Sequence, residues 1–235
     1  MFTPDEVKRI LGVLPNIALP EAMFVKTLYY TGARISEIVG NARDSNVVGR
    51  IPDPMTPKNI DLERGVIILR NLKNRLYRKE CSVCHTLLKS TQHTCFCGSR
   101  EIVKTPRGKR WKNVEVPSYF LEELKEYIKI EEIGIDDPVF PFDRFKGYRI
   151  VSNVCRLAGI KNLGLKNPHP HNFRHTYVMT GLKETKDFKY IQNQTGHASL
   201  ATMGGYIELM EKEDKKNIQK MFRGDKKDGD RKPEA

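Results

Sequence analysis

The sequence predicts a mostly helical α+β domain with a small antiparallel sheet near its middle, and three observations carry that prediction. Apolar residues recur at helical spacing through the first 40 residues and again from Ser118 onward. Val66–Leu69 and Trp111–Val116 read instead as strands, the first bounded by Arg64-Gly65 and the second ended by Pro117. Between the two strands lies a polar stretch that holds four of the five cysteines. No internal repeat is present, so helices gathered around one small sheet are the simplest architecture.

Each element has a local reason. Thr3-Pro4-Asp5-Glu6 is a helix start, with Thr3 as N-cap, proline in the first turn and Glu6 placed for a capping box. Val7, Ile10, Leu11 and Leu14 follow at helical spacing. A second helix is expected over about Pro20–Thr31, with Ala22, Val25, Leu28 and Tyr29 on one face and Gly32 placed to end it. A short helix, Arg34–Val39, precedes a Pro/Gly-rich loop over Gly49–Pro57. Ser118 is read as the cap of a helix carrying Leu121, Leu124, Tyr127 and Ile128. Further helices fit Gly147–Ala158, Pro170–Leu182 and Asp187–Gln194, with weaker patterns over Ser199–Ile207 and Glu211–Phe222.

Charge narrows the function. The 235 residues carry 41 Lys+Arg against 29 Asp+Glu, a formal charge of +12. With 30% charged residues and no run near the ~18 apolar residues of a spanning helix, a membrane protein is excluded. Met1–Glu6 lacks the basic start and apolar run of a signal peptide, so a cytoplasmic protein is expected. The excess is concentrated: Arg70–Lys112 contains twelve basic residues opposed only by Glu80 and Glu101. Such a segment is a candidate phosphate-backbone surface, and Arg75, Arg78, Lys104, Arg107, Lys109, Arg110 and Lys112 are its expected DNA contacts. From Gly224 onward the mixed charges read as a disordered tail, 224–235.

Five cysteines without an export signal argue for a metal site plus one spare thiol rather than disulfides. Cys81-Ser-Val-Cys84 and, ten residues on, Cys95-Phe-Cys97 are two thiolate pairs able to close a tetrahedral, structural Zn²⁺ site in an inserted segment, 78–104. The second pair has a tight one-residue spacing, which leaves His93 as a replacement for Cys95, with His85 a weaker substitute. Cys155 falls in an apolar helical pattern and is expected in the core.

Four motifs carry the chemistry: Thr31-Gly-Ala-Arg34-Ile-Ser-Glu37, His171-Asn-Phe-Arg174-His175, Gly196-His197, and Tyr206 nine residues after His197. His171 and Arg174, at i and i+3, project from one helix face. In type, order and spacing this set resembles the catalytic domain of the tyrosine recombinases, the phage-integrase and Xer-like family, from Thr3 to about Phe222. The resemblance implies a tyrosine-recombinase catalytic domain over 1–223, with a zinc-ribbon-like insertion in a β-hairpin. It also implies a site-specific recombinase that cleaves and rejoins DNA through a 3′-phosphotyrosyl intermediate, with no ATP or catalytic metal.

The resemblance further implies a role for each residue. Arg34 and Arg174 would hold the nonbridging phosphate oxygens, and Tyr206 would attack phosphorus. His171 would accept or share the tyrosine proton, and His197 would support the phosphate or the arginines. Glu37 would orient Arg34. The family's general acid is a hairpin lysine, and here two counts disagree. Counting from the first strand gives Lys73; counting back from Val116-Pro117 gives Lys109. Lys73 is preferred, Lys109 is the alternative, and Lys104 and Lys112 are further candidates. The implied partner is double-stranded DNA held by a homo-tetramer, with Glu211–Phe222 either exchanged between protomers or folded back. The chain is expected to be a catalytic domain with a zinc annex rather than a two-domain integrase. A type IB topoisomerase-like relaxase would use the same residues on one duplex; a non-catalytic zinc-containing DNA-binding protein derived from an integrase is a further reading, against which the intact Arg34, His171, Arg174, His197 and Tyr206 argue.

Overall fold

The computed structural model describes residues 1–40, 54–71, 77–89, 91–106, 111–160, 167–196 and 204–205. The described elements run α1 (Pro4–Val13), α2 (Leu19–Thr31), α3 (Ile35–Ile38), β1 (Ile60–Asp61), β2 (Val66–Arg70), β3 (Tyr77–Cys81), β4 (Leu87–Leu88), β5 (Ile102–Pro106), β6 (Trp111–Glu115), α4 (Ser118–Ile130), α5 (Arg144–Leu157), α6 (Pro170–Thr185) and α7 (Phe188–Thr195). This is the expected α+β arrangement. Most of the Ser199–Ile207 pattern, all of Glu211–Phe222 and the charged tail lie outside the described residues.

Local chemistry sets the boundaries. Thr3 caps α1 in a full capping box: its side chain accepts from the Glu6 amide at 3.2 Å, and Glu6 accepts from the Thr3 amide at 2.7 Å. Two expected boundaries move. Ser118 is the first residue of α4 rather than its cap, because the Pro117 carbonyl accepts from the amides of Phe120 and Leu121. Helix α5 starts three residues before Gly147, because Asp143 accepts from the Lys146 amide and caps it there.

Helix α2 is the centre of the core. Phe24, Val25 and Leu28 are fully buried, and α2 packs on α4, α5 and α6. Phe24 meets Phe140 and Phe142 edge-on, the geometry ring quadrupoles favour. Gly147 lets α5 approach this cluster; a Cβ there would lie 2.6 Å from the Ile35 side chain. Cys155, fully buried on α5, is a core thiol, and burial pushes its pKa up to about 12.

The described residues form two three-stranded antiparallel sheets. The first has order β1-β2-β6, with Ile67 opposite Val114 and Leu69 opposite Lys112. The second, β4-β3-β5, pairs Tyr77 with Pro106 and Cys81 with Ile102. It lies between β2 and β6 in the chain, so the cysteine-bearing segment has a sheet of its own. Among the described residues no helix is long and apolar enough to cross a membrane.

Candidate active site

Arg34 is placed by a tight turn. Thr31 Oγ1 donates to the Thr27 carbonyl and accepts from the Ala33 amide, while Gly32 ends α2 in the left-handed region at φ +55°. Glycine is required there twice over, since a Cβ would also sit 2.6 Å from the Tyr177 ring. Arg34 is then the N-cap of α3. Glu37 reaches back to it: Oε2 accepts from the Arg34 amide at 3.0 Å and Oε1 from Arg34 Nη1 at 2.9 Å.

Arg174 projects from α6, which starts at Pro170 behind a cap formed by Asn172 Oδ1 on the His169 amide. The Phe2 amide donates to Thr176 Oγ1 at 2.8 Å and pins the first strand of chain to this helix. Arg174 is 1% exposed; Nη1 donates to the Gly32 carbonyl at 2.9 Å and Nη2 to the Thr195 carbonyl at 2.7 Å. A guanidinium braced on two carbonyls keeps its charge but loses its rotamer freedom.

Thr195 is the last residue of α7, and Gly196 caps the helix at φ +66°, close against the Asn71 side chain. The edge of the sheet holds this end in place. Glu115 donates its amide to Gln194 Oε1 at 2.8 Å, and Tyr190 donates its hydroxyl to Glu115 Oε2 at 3.0 Å.

The lysine set is where the structure departs from the sequence reading. Lys112, assigned to phosphate contact, is buried on β6. Its Nζ lies 3.0 Å from Glu37 Oε2 and 3.2 Å from the Thr195 carbonyl, with 4% of the side chain exposed. This corrects its placement on a DNA-facing surface. Burial by itself would raise the Glu37 pKa, but Lys112 and Arg34 more than offset it, so the carboxylate stays ionised with its pKa lowered. Burial lowers the Lys112 pKa and Glu37 opposes this, leaving it at about 8.

His171 sits at the open edge. Its ring is perpendicular to that of His175 at 4.6 Å, with His169 at 6.4 Å. Packing against these neighbours, then the charges of His175, Arg174 and Arg34, hold its pKa down to about 4, so the imidazole is neutral at pH 7. A cleft of about 150 Å³ opens beside it, lined by Arg34, Ser36, Arg144, Tyr148 and His171. Sequence reasoning missed Arg144. It is the first residue of α5, and its Nε is buried with no hydrogen-bond partner among the described residues.

The structure therefore brings together Arg34, Glu37, Lys112, His171 and Arg174. Lys73, Arg75, Arg107, Lys109, Arg110, His197 and Tyr206 lie outside the described residues, as do the side chains of Arg78 and Lys104.

Between β2 and β6, the sulfurs of Cys81, Cys84, Cys95 and Cys97 all lie within 4.8 Å of one another, with Cys81–Cys97 at 3.6 Å and Cys84–Cys95 at 3.4 Å. A tetrahedral zinc–thiolate site has sulfur–sulfur edges of about 3.8 Å, so these four fit one ion. Each pair is a tight turn with a left-handed residue after its second cysteine, His85 at φ +54° and Gly98 at φ +85°. That backbone role turns His85 outward, where Nδ1 contacts Glu80 at 3.1 Å. His93 is not in the cluster.

Comparison with known proteins decides the family. The model of the phage integrase family matches residues 53–213, more than half the chain. The chain belongs to the phage integrase family. It is 24% identical over 216 residues to "Tyrosine recombinase XerA" of Thermococcus kodakarensis, covering 88% of this chain and 57% of that protein. The corresponding protein of Pyrococcus furiosus is 24% identical over 230 residues, covering 93% and 60%. The chain thus spans about 60% of the length of these curated relatives. Its fold matches the crystal structure of XerA recombinase with TM-score 0.58 at 21% identity, covering 96% of this chain and 62% of the other. It also matches XerH site-specific recombinase bound to difH substrate, with TM-score 0.58 at 16% identity, covering 88% and 49%. A tyrosine-recombinase catalytic fold is the architecture on which this integrase-family site is built.

Proposed function

We propose that the protein is a site-specific DNA recombinase that cleaves and rejoins double-stranded DNA through a 3′-phosphotyrosyl intermediate. The observation that carries this reading is the convergence of two guanidiniums, Arg34 and Arg174, on one site beside a neutral imidazole. A phosphodiester resists attack because its anionic oxygens repel a nucleophile. Two braced guanidiniums neutralise those oxygens and the charge that grows on them in the pentacoordinate state. Tyr206 attacks phosphorus, forming an O–P bond while the bond to the 5′-oxygen breaks. His171, already neutral, takes the tyrosine proton. Lys73, or Lys109, protonates the leaving 5′-oxygen, and His197 supports the phosphate. The tyrosyl ester preserves the bond energy, so a 5′-hydroxyl reverses the step without ATP.

The catalytic domain spans 1–223, with the annex at 78–104 and a charged tail after it. The annex binds one structural Zn²⁺ through Cys81, Cys84, Cys95 and Cys97; when bound, the ion supplies no chemistry to the reaction and fixes the two cysteine turns. Arg75, Arg78, Lys104, Arg107, Lys109 and Arg110 follow the DNA backbone. The recombinase works in the cytoplasm as a homo-tetramer around two duplexes. The test is covalent capture on nicked suicide duplexes: the wild type forms an SDS-stable adduct and Tyr206→Phe forms none. A wild type that binds but never forms an adduct would show a DNA-binding protein instead.

A further inference from the structure

Lys112 occupies a place that the strand-transfer chemistry does not explain. It is a lysine on the inner face of a strand, one residue from the exposed Trp111, and Leu69 lies opposite it in the sheet. Burying an ammonium is costly and is sustained only where fixed acceptors compensate it. What distinguishes the lysine is its pair of acceptors. Glu37 Oε2 receives one Nζ hydrogen and the Thr195 carbonyl another. Glu37 holds Arg34 through its other oxygen, and the Thr195 carbonyl also receives Arg174 Nη2. The two arginines stand on different parts of the fold, one on the turn after α2 and the other on α6. Three cations, Lys112, Arg34 and Arg174, face a single carboxylate, and mutual repulsion would drive the guanidiniums apart without a fixed acceptor for each.

We propose that Lys112 is a positioning residue that couples the two phosphate-binding arginines, tying Glu37, and through it Arg34, to the Thr195 carbonyl on which Arg174 rests. It acts through those neighbours and does not touch DNA. Its ammonium is already engaged by Glu37 Oε2 at 3.0 Å and the Thr195 carbonyl at 3.2 Å. The inference rests on the strand-transfer reading, because the arginine spacing matters only if a phosphate is to be gripped there. A misplacement of about 1 Å in such a grip lowers the rate by about 100-fold.

The test uses the full chain and a randomised pool of nicked duplexes, from which adduct capture recovers a cleavable sequence. Each recovered duplex is made with an ordinary 5′-oxygen leaving group and with a 5′-bridging sulfur. Lys112→Met, which keeps an unbranched side chain out to Cε but lacks the ammonium, is expected to slow single-turnover adduct formation by about 100-fold while the duplex Kd changes less than about threefold. The loss is expected to be equal for oxygen and sulfur. Lys112→Gln, whose amide still donates to the Thr195 carbonyl, is expected to recover part of the rate. Rescue of Lys112→Met by sulfur would overturn the proposal by making Lys112 the leaving-group acid. Wild-type rates in both variants would overturn it as well. So would failure of both variants to fold, since the lysine would then hold the fold rather than the arginines. Absence of any adduct with the wild type would sink the strand-transfer reading itself, an outcome separate from the other three.

Discussion

Arg174 Nη1 donates to the Gly32 carbonyl at 2.9 Å across 142 residues of sequence. The residue that ends α2 thus positions the arginine of α6, and the same turn delivers Arg34. A glycine chosen for its backbone therefore governs both guanidiniums.

Gly32→Ala is the direct check on that turn. The substitution meets a left-handed φ and a Tyr177 ring at 2.6 Å. The backbone strain and the overpacking together are expected to destabilise the fold by about 2 to 4 kcal/mol. Urea unfolding measures this, and adduct formation is expected to fall as the carbonyl under Arg174 shifts. A substitution neutral in both assays would contradict the geometry.

Glu37→Gln removes the one carboxylate among three cations and leaves the Lys112 ammonium buried without its counter-charge. A loss of about 3 to 5 kcal/mol is expected. Because the folded Glu37 pKa lies below its unfolded value, its contribution is present above about pH 4.5 and is lost as the pH falls through the folded pKa. The thermal midpoints of wild type and variant are therefore expected to be farthest apart near neutrality and to converge in acid.

The His171 imidazole, with its pKa near 4, is neutral across the whole physiological range. The rate of adduct formation, read on the captured duplex, is expected to stay flat from pH 7 to about pH 5. A midpoint near 6.5, the ordinary imidazole value, would mean that His171 is neither desolvated by its packing nor held down by the charges of His175 and the arginines. The sign for stability is the same: the neutral form favours the fold above about pH 6.5, and that advantage fades toward pH 4.

One equivalent of Zn²⁺ per chain is expected to bind the annex. Cys84→Ser should weaken that binding by at least about 100-fold, and His93→Ala should leave it unchanged. Competition with a chromophoric chelator reads both. Equal weakening by the two variants would mean that the four-sulfur cluster is not the ligand set.

Arg144 lines the cleft beside Arg34 with a buried Nε that no described neighbour uses. Arg144→Ala is expected to weaken duplex binding and to lower the slope of log K against log salt by about one. Adduct formation at saturating DNA should be little changed. An unaltered salt slope would remove Arg144 from the phosphate contacts.

The helices were legible because caps and periodicity agree: Thr3 with Glu6, and Gly32 after Thr31, mark boundaries in the sequence as they do in space. The sheet was legible for the same reason. Lys112 was not, because its charge makes it look like surface. Yet a period of two along β6 puts it on the face of the buried Val114, with Trp111 and Asn113 outward. The acceptors that brace Arg174, the carbonyls of Gly32 and Thr195, had no sequence signal at all. Every residue offers a carbonyl, and only the fold decides which two meet a guanidinium. The sequences of β3 and β5 show no apolar alternation, so their sheet emerged only from the pairing.

That pairing has a further consequence. Arg70 faces Trp111 at the end of β2–β6, and Tyr77 faces Pro106 where the second sheet begins. Segment 77–106 therefore closes on itself through its own hydrogen bonds, which offset the entropy of closing the chain between them. Segment 77–106 is in this sense a cassette. Its closure is carried by the β3–β5 ladder, a set of hydrogen bonds separate from those that fix the register of β2 on β6.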